Sequence, residues 1–371
     1  MGASGGGVGA GDGPGAPRRA VVVGAGLIGG SIGRALRARG WHVTGSDTAP
    51  DRATAARAAG ALDAVGDDPA AEIVFVATPV AAAAAAATAV LSTPGRRPDV
   101  AVTDVSGVKA PVVAAVDHPR FVGGHPMAGS EQVGLAGADP DLFVGATWVL
   151  TPTAETDPAT FARVRSVAAS LGSDVVALSP DDHDRMVAVV SHVPHLVAAT
   201  LMNAAAAGAE RDSALLRLAA GGFRDMTRIS AGHPGIWPDI CVDNAPAIVD
   251  ALDRLLGDLQ GVRDQVAGGD RASILVALER ASAARRALPA RVARPESLAE
   301  LRIPVPDRRG VLAELTTLAG DLGINIYDVE IAHSAEGPRG VLVLVVDAAE
   351  AATLHDAVTA HGYRCTVGEL S

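Results

Sequence analysis

Aromatic residues are scarce in this chain: five Phe, three Trp and two Tyr, 3% of 371 residues. A core with so few rings must be filled by Ala, Val and Leu, which are abundant. Cysteine is scarcer. Cys241 and Cys365 stand far apart in no metal or redox spacing, which points to a reducing cytoplasm. Positive charge is short as well: 31 Lys and Arg against 42 Asp and Glu give a formal net charge of −11. No basic face offsets that balance, so a nucleic-acid partner is excluded. No apolar run reaches the roughly 18 residues of a membrane-spanning helix, and no membrane partner is expected. The opening MGASGGGVGAGDGPGAP lacks a basic and an apolar region, so residues 1–17 read as a flexible tail and not a signal peptide. The alanine run at 81–87 is low in complexity, but alanine is the best helix former and predicts a helix.

What is present is an alternation. RRAVVVGAG, WHVTGSD, AEIVFVATP, DVAVTDVS, RFVGGHP, GATWVLTP and SDVVALS each read as a strand or strand end, with helical stretches between most of them. Most are nearly continuous apolar runs, as in strands buried on both faces of a parallel sheet. The expectation is an α/β, doubly wound Rossmann domain over 18–178. At Ser179 the character changes. SPDDHDRM reads as a helix start, with Ser179 as N-cap and Pro180 at the first helical position. An all-helical second domain follows over 179–286, then a Pro/Arg-containing linker at 287–297. Residues 298–371 read strand, helix, strand, strand, helix, strand, the βαββαβ order of a ferredoxin-like domain.

VVVGAGLIGGSIGRAL supplies Gly24, Gly26 and Gly29 in the order G-x-G-x-x-G, directly after a strand and opening a helix through Leu27 and Ile28. The glycines permit a tight turn and close approach of a pyrophosphate, which the helix N-terminus stabilises. Asp47 ends the next predicted strand. Its carboxylate suits ribose hydroxyls and repels a 2′-phosphate, so the expected cofactor is NAD, although Arg52 lies nearby. Thr78, after the third predicted strand, is a candidate for the nicotinamide side.

Gly123 and Gly124 before His125 and Pro126 after it predict a rigid seat for one imidazole, too irregular for a helix or strand. TDVSGVK ends a strand with Ser106 and Lys109, and SHVPH carries His192 and His195 within one helical turn. GGFRDMTRISAGHPGIWPDI gathers Gly221, Asp225, Arg228, His233, Trp237 and Asp239. Taken alone, Ser106 reads as a turn or cap hydroxyl and Arg228 as an ion-pair residue that Asp225 could satisfy. His192 and His195 have no acidic third ligand at an obvious spacing, so no metal is expected.

Together, GGHPMAGSE, DVSGVK, SHVPH and GGFRDMTRI followed by Trp237 resemble the prephenate dehydrogenase family of tyrosine biosynthesis, in the family's order and over 18–285. The resemblance implies a cytoplasmic oxidoreductase that decarboxylates prephenate oxidatively to 4-hydroxyphenylpyruvate with NAD. His125 would accept a hydrogen bond from the ring hydroxyl, and Ser106 would orient that histidine and the substrate. Arg228 would bind a substrate carboxylate, and His195 would line the substrate site. Ser130 stands where many relatives carry threonine. Gly221, Asp225 and Trp237 match positions near the pocket, some of them contributed across a homodimer in the family. Arogenate, with an amino group in place of the side-chain keto group, is the alternative substrate. A non-catalytic regulator binding NAD and an amino acid is the remote one.

VPDRRGVLAELTTLAGDLGINIYDVEI resembles the ACT family of amino-acid-sensing domains over 298–371. That resemblance implies an effector site at Gly310 and Asn325, with an aromatic amino acid, tyrosine first, as effector. A domain used only for dimer contacts is the other reading.

Overall fold

A computed structural model describes residues 17–129, 132, 134–210, 212, 214–288, 298–306, 308–333 and 339–369. The chain divides into two compact units, Met1–Ala219 with Phe223–Gly257, and Ala220–Gly222 with Asp258–Ser371.

The first unit is built on an eight-stranded sheet. Its strands are β1 (Arg19–Val23), β2 (His42–Ser46), β3 (Ala64–Val65), β4 (Ile73–Val76), β5 (Ala101–Asp104), β6 (Phe121–Pro126), β7 (Thr147–Thr151) and β8 (Asp174–Ala177), in the order β3-β2-β1-β4-β5-β6-β7-β8. Strands β1 to β6 pair in parallel, and β7 turns antiparallel against β6. The order 3-2-1-4-5-6 is that of a Rossmann-like domain, with its switch point between β1 and β4. The seven strands expected from sequence are all present. The two-residue β3 is additional, and too short to leave a periodic signal.

Apolar runs become strands here because both faces are covered. Ala20, Val22, Ile73 and Phe75 point into one core with Ile32 and Leu36 of α1 (Leu27–Ala38) and Val164 and Val167 of α5 (Pro158–Ser170). Their alternate neighbours Val21, Val74 and Val76 point into a second core with α3 (Val80–Leu91) and α4 (Ala110–Val116). The short α2 (Pro50–Ala58) follows β2, and the alanine run lies in α3, where Ala83, Ala87 and Val90 form the buried face. Small side chains let that helix lie close to the sheet.

One expectation needs correction. His125 lies inside strand β6, opposite Val149 of β7, and not in an irregular seat. The two glycines before it serve close packing. A Cβ on Gly123 would lie 2.4 Å from Thr151 Oγ1, and one on Gly124 would lie 2.7 Å from the Asp104 carbonyl oxygen.

Ser179 caps the next helix by accepting from the Asp182 N–H. Helix α6 (Pro180–Val187) runs through a π-helical turn, Ala188–His192, into α7 (Val193–Ala209). The turn precedes Pro194, which has no N–H and whose ring crowds the carbonyl four residues back, so the helix widens there. By length and hydropathy this run of 30 residues is apolar enough to cross a membrane. Its His183, Asp184 and His192 are nevertheless buried in polar contacts within the first unit. Helices α8 (Gly221–Thr227), α9 (Trp237–Asp243), α10 (Ala245–Gly268) and α11 (Arg271–Arg286) follow, and no strand interrupts them among the described residues.

The second unit holds a four-stranded antiparallel sheet of β9 (Leu298–Pro306), β10 (Ile326–His333), β11 (Arg339–Asp347) and β12 (Thr366–Glu369), in the order β10-β11-β9-β12. With α12 (Val311–Asp321) and α13 (Ala348–Ala360) it encloses its own core of Leu301, Ile303, Leu315, Leu342, Leu344 and Leu354.

Candidate active site

The C-terminal ends of the parallel strands carry the chemistry. After β1, Gly24 has φ +101° and its missing Cβ would stand 2.3 Å from the Ala77 carbonyl oxygen. A Cβ on Gly29 would stand 1.9 Å from the Gly24 carbonyl oxygen, so this glycine lets α1 close onto the loop. Gly26 differs: a Cβ there would meet nothing within 4 Å. It is also the N-cap of α1 and supplies no side-chain cap. The N–H groups of Leu27, Ile28 and Gly29 therefore open the helix with no intrahelical partner, beside a cradle that a Cβ on Gly26 would fill and that suits a pyrophosphate.

The rest of the cofactor set converges on the same edge. Asp47 follows β2 and its carboxylate accepts from the N–H groups of Ala25 and Ala49, both at 2.9 Å. Those bonds hold the carboxylate beside the loop, an acceptor suited to ribose hydroxyls. Thr78 follows β4, and its buried Oγ1 has no hydrogen-bond partner among the described residues, leaving that hydroxyl to a ligand. These residues fit a dinucleotide.

His125, on β6, faces β5's loop and α6. Gly107 packs beside one edge of its ring, where a Cβ would make only ordinary contact, 3.8 Å from Nε2 and Cε1. His125 is half-buried, and its Nε2 has no hydrogen-bond partner among the described residues. On the other edge, His125 Nδ1 lies 2.8 Å from His183 Nε2, and His183 Nδ1 lies 2.7 Å from Asp184 Oδ1. Asp184 also accepts from the N–H groups of Lys109 and Ala110 at the start of α4, both at 2.8 Å. Burial first, then the neighbouring His183, Lys109 and His192, push the His125 imidazolium well below its usual range. His125 is thus neutral at neutral pH, as a proton acceptor must be.

Comparisons with known proteins converge on one family. Residues 32–177 match the model of the prephenate dehydrogenase nucleotide-binding domain, and 179–280 that of the prephenate dehydrogenase dimerization domain. The chain is 33% identical to the prephenate dehydrogenase of Bacillus subtilis over 335 residues, 87% of this chain and 90% of the relative. This chain belongs to the prephenate dehydrogenase family. Among solved structures, it is similar to the Aquifex aeolicus prephenate dehydrogenase in complex with hydroxyphenyl propionate and NAD+. That match has 28% identity and a TM-score of 0.68, over 74% of this chain and 99% of the other. It is also similar to the Synechocystis arogenate dehydrogenase, with 33% identity and a TM-score of 0.63, over 72% of this chain and 98% of the other.

Within this prephenate dehydrogenase fold the expected site residues are placed unevenly. Ser106 lies in the loop after β5, next to Gly107, but His183, not Ser106, holds the His125 ring. The Ser106 hydroxyl donates to Asp104 and takes a 3.0 Å bond from Lys109 Nζ. Lys109 is fully buried, where desolvation lowers its pKa and the Asp104 carboxylate opposes that shift. The same Nζ donates to the Gly124 carbonyl at 2.7 Å, and Asp104 Oδ1 accepts from the Gly124 N–H at 3.2 Å. Both polar groups of the residue before His125 are therefore clamped by one buried ion pair.

His195 stacks on Trp237, with ring centroids 3.6 Å apart and planes 10° apart. Burial lowers the His195 pKa. His192 is buried, its pKa lowered to about 4 mainly by desolvation, and its Nδ1 lies 3.2 Å from Asn244 Nδ2. Arg228 opens the exposed single turn Arg228–Ala231, which packs against α7. Asp225 and Gly221 are exposed in α8. Ser130 lies outside the described residues. The sequence reading passed over His183, Asp184 and Asn244. Asp184 lies three and four residues before the buried Val187 and Ala188, so a carboxylate in phase with the apolar face of α6 was the available signal.

Proposed function

We propose that this chain is an NAD-dependent prephenate dehydrogenase, converting prephenate to 4-hydroxyphenylpyruvate. The observation that carries the reading is a neutral, half-buried His125 whose Nε2 has no hydrogen-bond partner among the described residues, on the same sheet edge as the dinucleotide cradle. Gly24, Gly26, Gly29, the first N–H groups of α1, Asp47 and Thr78 would hold NAD, which supplies the hydride acceptor when bound. His125 takes the proton of the ring hydroxyl at Nε2 as that carbon loses hydride and becomes a carbonyl. Loss of carbon dioxide then aromatises the ring and makes the reaction effectively irreversible. Arg228 presents a planar cation to a substrate carboxylate, a task for which its fork is suited. His195 and Trp237 stack on one another and would line the substrate site; Asp225, Gly221 and Ser130 are assigned to substrate binding from the family resemblance alone. Ser106 helps seat the substrate from the β5 loop.

The assay is NADH formation by purified protein with prephenate and then with arogenate, the substrate of the Synechocystis relative. Turnover with prephenate supports the reading; turnover with arogenate alone moves the substrate assignment, and turnover with neither removes it. His125→Asn lowers kcat by roughly 10²–10⁴-fold. Arg228→Ala raises KM more than it lowers kcat.

The helical domain is read as a homodimer interface. Val249, Leu256, Leu259, Val262 and Val266 are exposed on one broad face of α10, an apolar surface that a second copy would cover. The C-terminal unit is read as a ferredoxin-like ACT domain. Its βαββαβ order supports this, as does Gly310 at φ +91° opening α12, with exposed Asn325 before β10. A tyrosine or phenylalanine titration that moves neither activity nor melting temperature removes the effector reading. Domains at 18–178, 179–286 and 298–371 and a cytoplasmic location complete the assignment, the latter supported by two free cysteines.

A further inference from the structure

We infer that His183 and Asp184 are positioning residues that set the tautomer of His125 and so decide which of its nitrogens is the base. The inference rests on His125 being that base. Asp184 Oδ1 is an acceptor, so the 2.7 Å contact requires a proton on His183 Nδ1. A neutral His183 then presents a lone pair at Nε2. The 2.8 Å contact with His125 Nδ1 is satisfied by a proton on that Nδ1. The remaining nitrogen of His125, Nε2, is left with its lone pair on the edge beside Gly107, where it has no hydrogen-bond partner among the described residues.

A free neutral imidazole favours the opposite tautomer, with the proton on Nε2, which could not accept the substrate's proton. The tautomer that works must therefore be held by the bond at the other nitrogen. The two parts of the hold come from different elements. Asp184 is anchored by the Lys109 and Ala110 N–H groups at the start of α4, and its own carbonyl accepts from Asn244 Nδ2 at 2.9 Å. His183 is fully buried and its ring meets His125 edge to face at 5.1 Å. Helix α6 is thereby locked to the loop after β5, and His183 has little freedom to release the His125 ring. When Nε2 takes the proton, the resulting imidazolium still donates from Nδ1 to His183, so no bond in the chain has to break.

The first test is direct observation. In the ¹⁵N-histidine-labelled holoenzyme, two-bond ¹⁵N–¹H correlation spectra should show His125 protonated on Nδ1, and His183→Leu should shift His125 toward the Nε2-protonated form. Kinetically, His183→Leu should lower kcat by about 10²-fold or more while KM stays within about threefold. His183→Gln should recover most of that loss, because Oε1 can accept from His125 while Nε2 donates to Asp184. A wild-type His125 protonated on Nε2, or a His183→Leu enzyme with unchanged kcat, would overturn the proposal. If His183→Leu melts early, the wild-type spectrum and His183→Gln still decide it. Failure of the base reading looks different: His125→Asn would then keep its turnover whatever tautomer the spectrum shows.

Discussion

At the scale of the residue, the clearest consequence concerns pH. His125 is surrounded by Lys109 from the end of the β5 loop, His183 from α6 and His192 from the π-helical turn, with Asp104 and Asp184 behind them. Desolvation comes first among the causes and the three basic neighbours reinforce it, so the protonated ring is disfavoured. The neutral ring is the active form. A lowered pKa keeps it neutral to lower pH, so the acid limb of kcat/KM should fall below about pH 6.5, the ordinary histidine value. A pH–rate profile with that limb at or above neutrality would contradict the environment described. Sequence alone brought His125 forward, because an imidazole between two glycines and a proline is conspicuous. It could not show why the glycines are there, since the atoms they avoid belong to Asp104 and Thr151 on neighbouring strands.

At the scale of the element, the glycine loop separates two roles that the motif merges. Gly29→Ala places a Cβ against the Gly24 carbonyl, and overpacking of this kind costs roughly 1–3 kcal/mol or more. Gly26→Ala meets no protein atom, so its melting temperature should stay near that of the parent. Its methyl group would occupy the cradle, and titration calorimetry should find NAD binding weakened by about tenfold or more. Unchanged NAD affinity in Gly26→Ala would place the pyrophosphate elsewhere. The loop, the alternating strands and the Ser179 cap were all legible because each depends on residues near in sequence. The π-helical turn was not. Pro194 within SHVPH marked the place, but whether a proline kinks, ends or widens a helix depends on what packs around it.

At the scale of the whole molecule, the exposed apolar face of α10 asks for a second copy of the chain. Leu256→Asp with Leu259→Asp puts two charges into that face, where unpaired burial is costly, and should turn a dimer into a monomer by light scattering. A dimer that survives the double substitution would place the interface elsewhere. The chain's overall charge and its lack of aromatics said nothing about this surface, because apolar stripes that cover a core and stripes that meet a partner share one helical period.

The sequence by itself determined the Rossmann alternation, the dinucleotide loop, the switch to helices at Ser179 and the histidine at the centre of the site. Each follows from short-range constraints: a period, a cap, a glycine where no Cβ can stand. Only the tertiary structure decided who holds that histidine. His125 and His183 are 58 residues apart, Lys109 and Asp184 are 75 apart, and Asn244 and His192 are 52 apart. No local pattern pairs them. They meet because burying both faces of the sheet forces α4 and α6 together at the ends of β5 and β6, and buried polar groups must then find partners there.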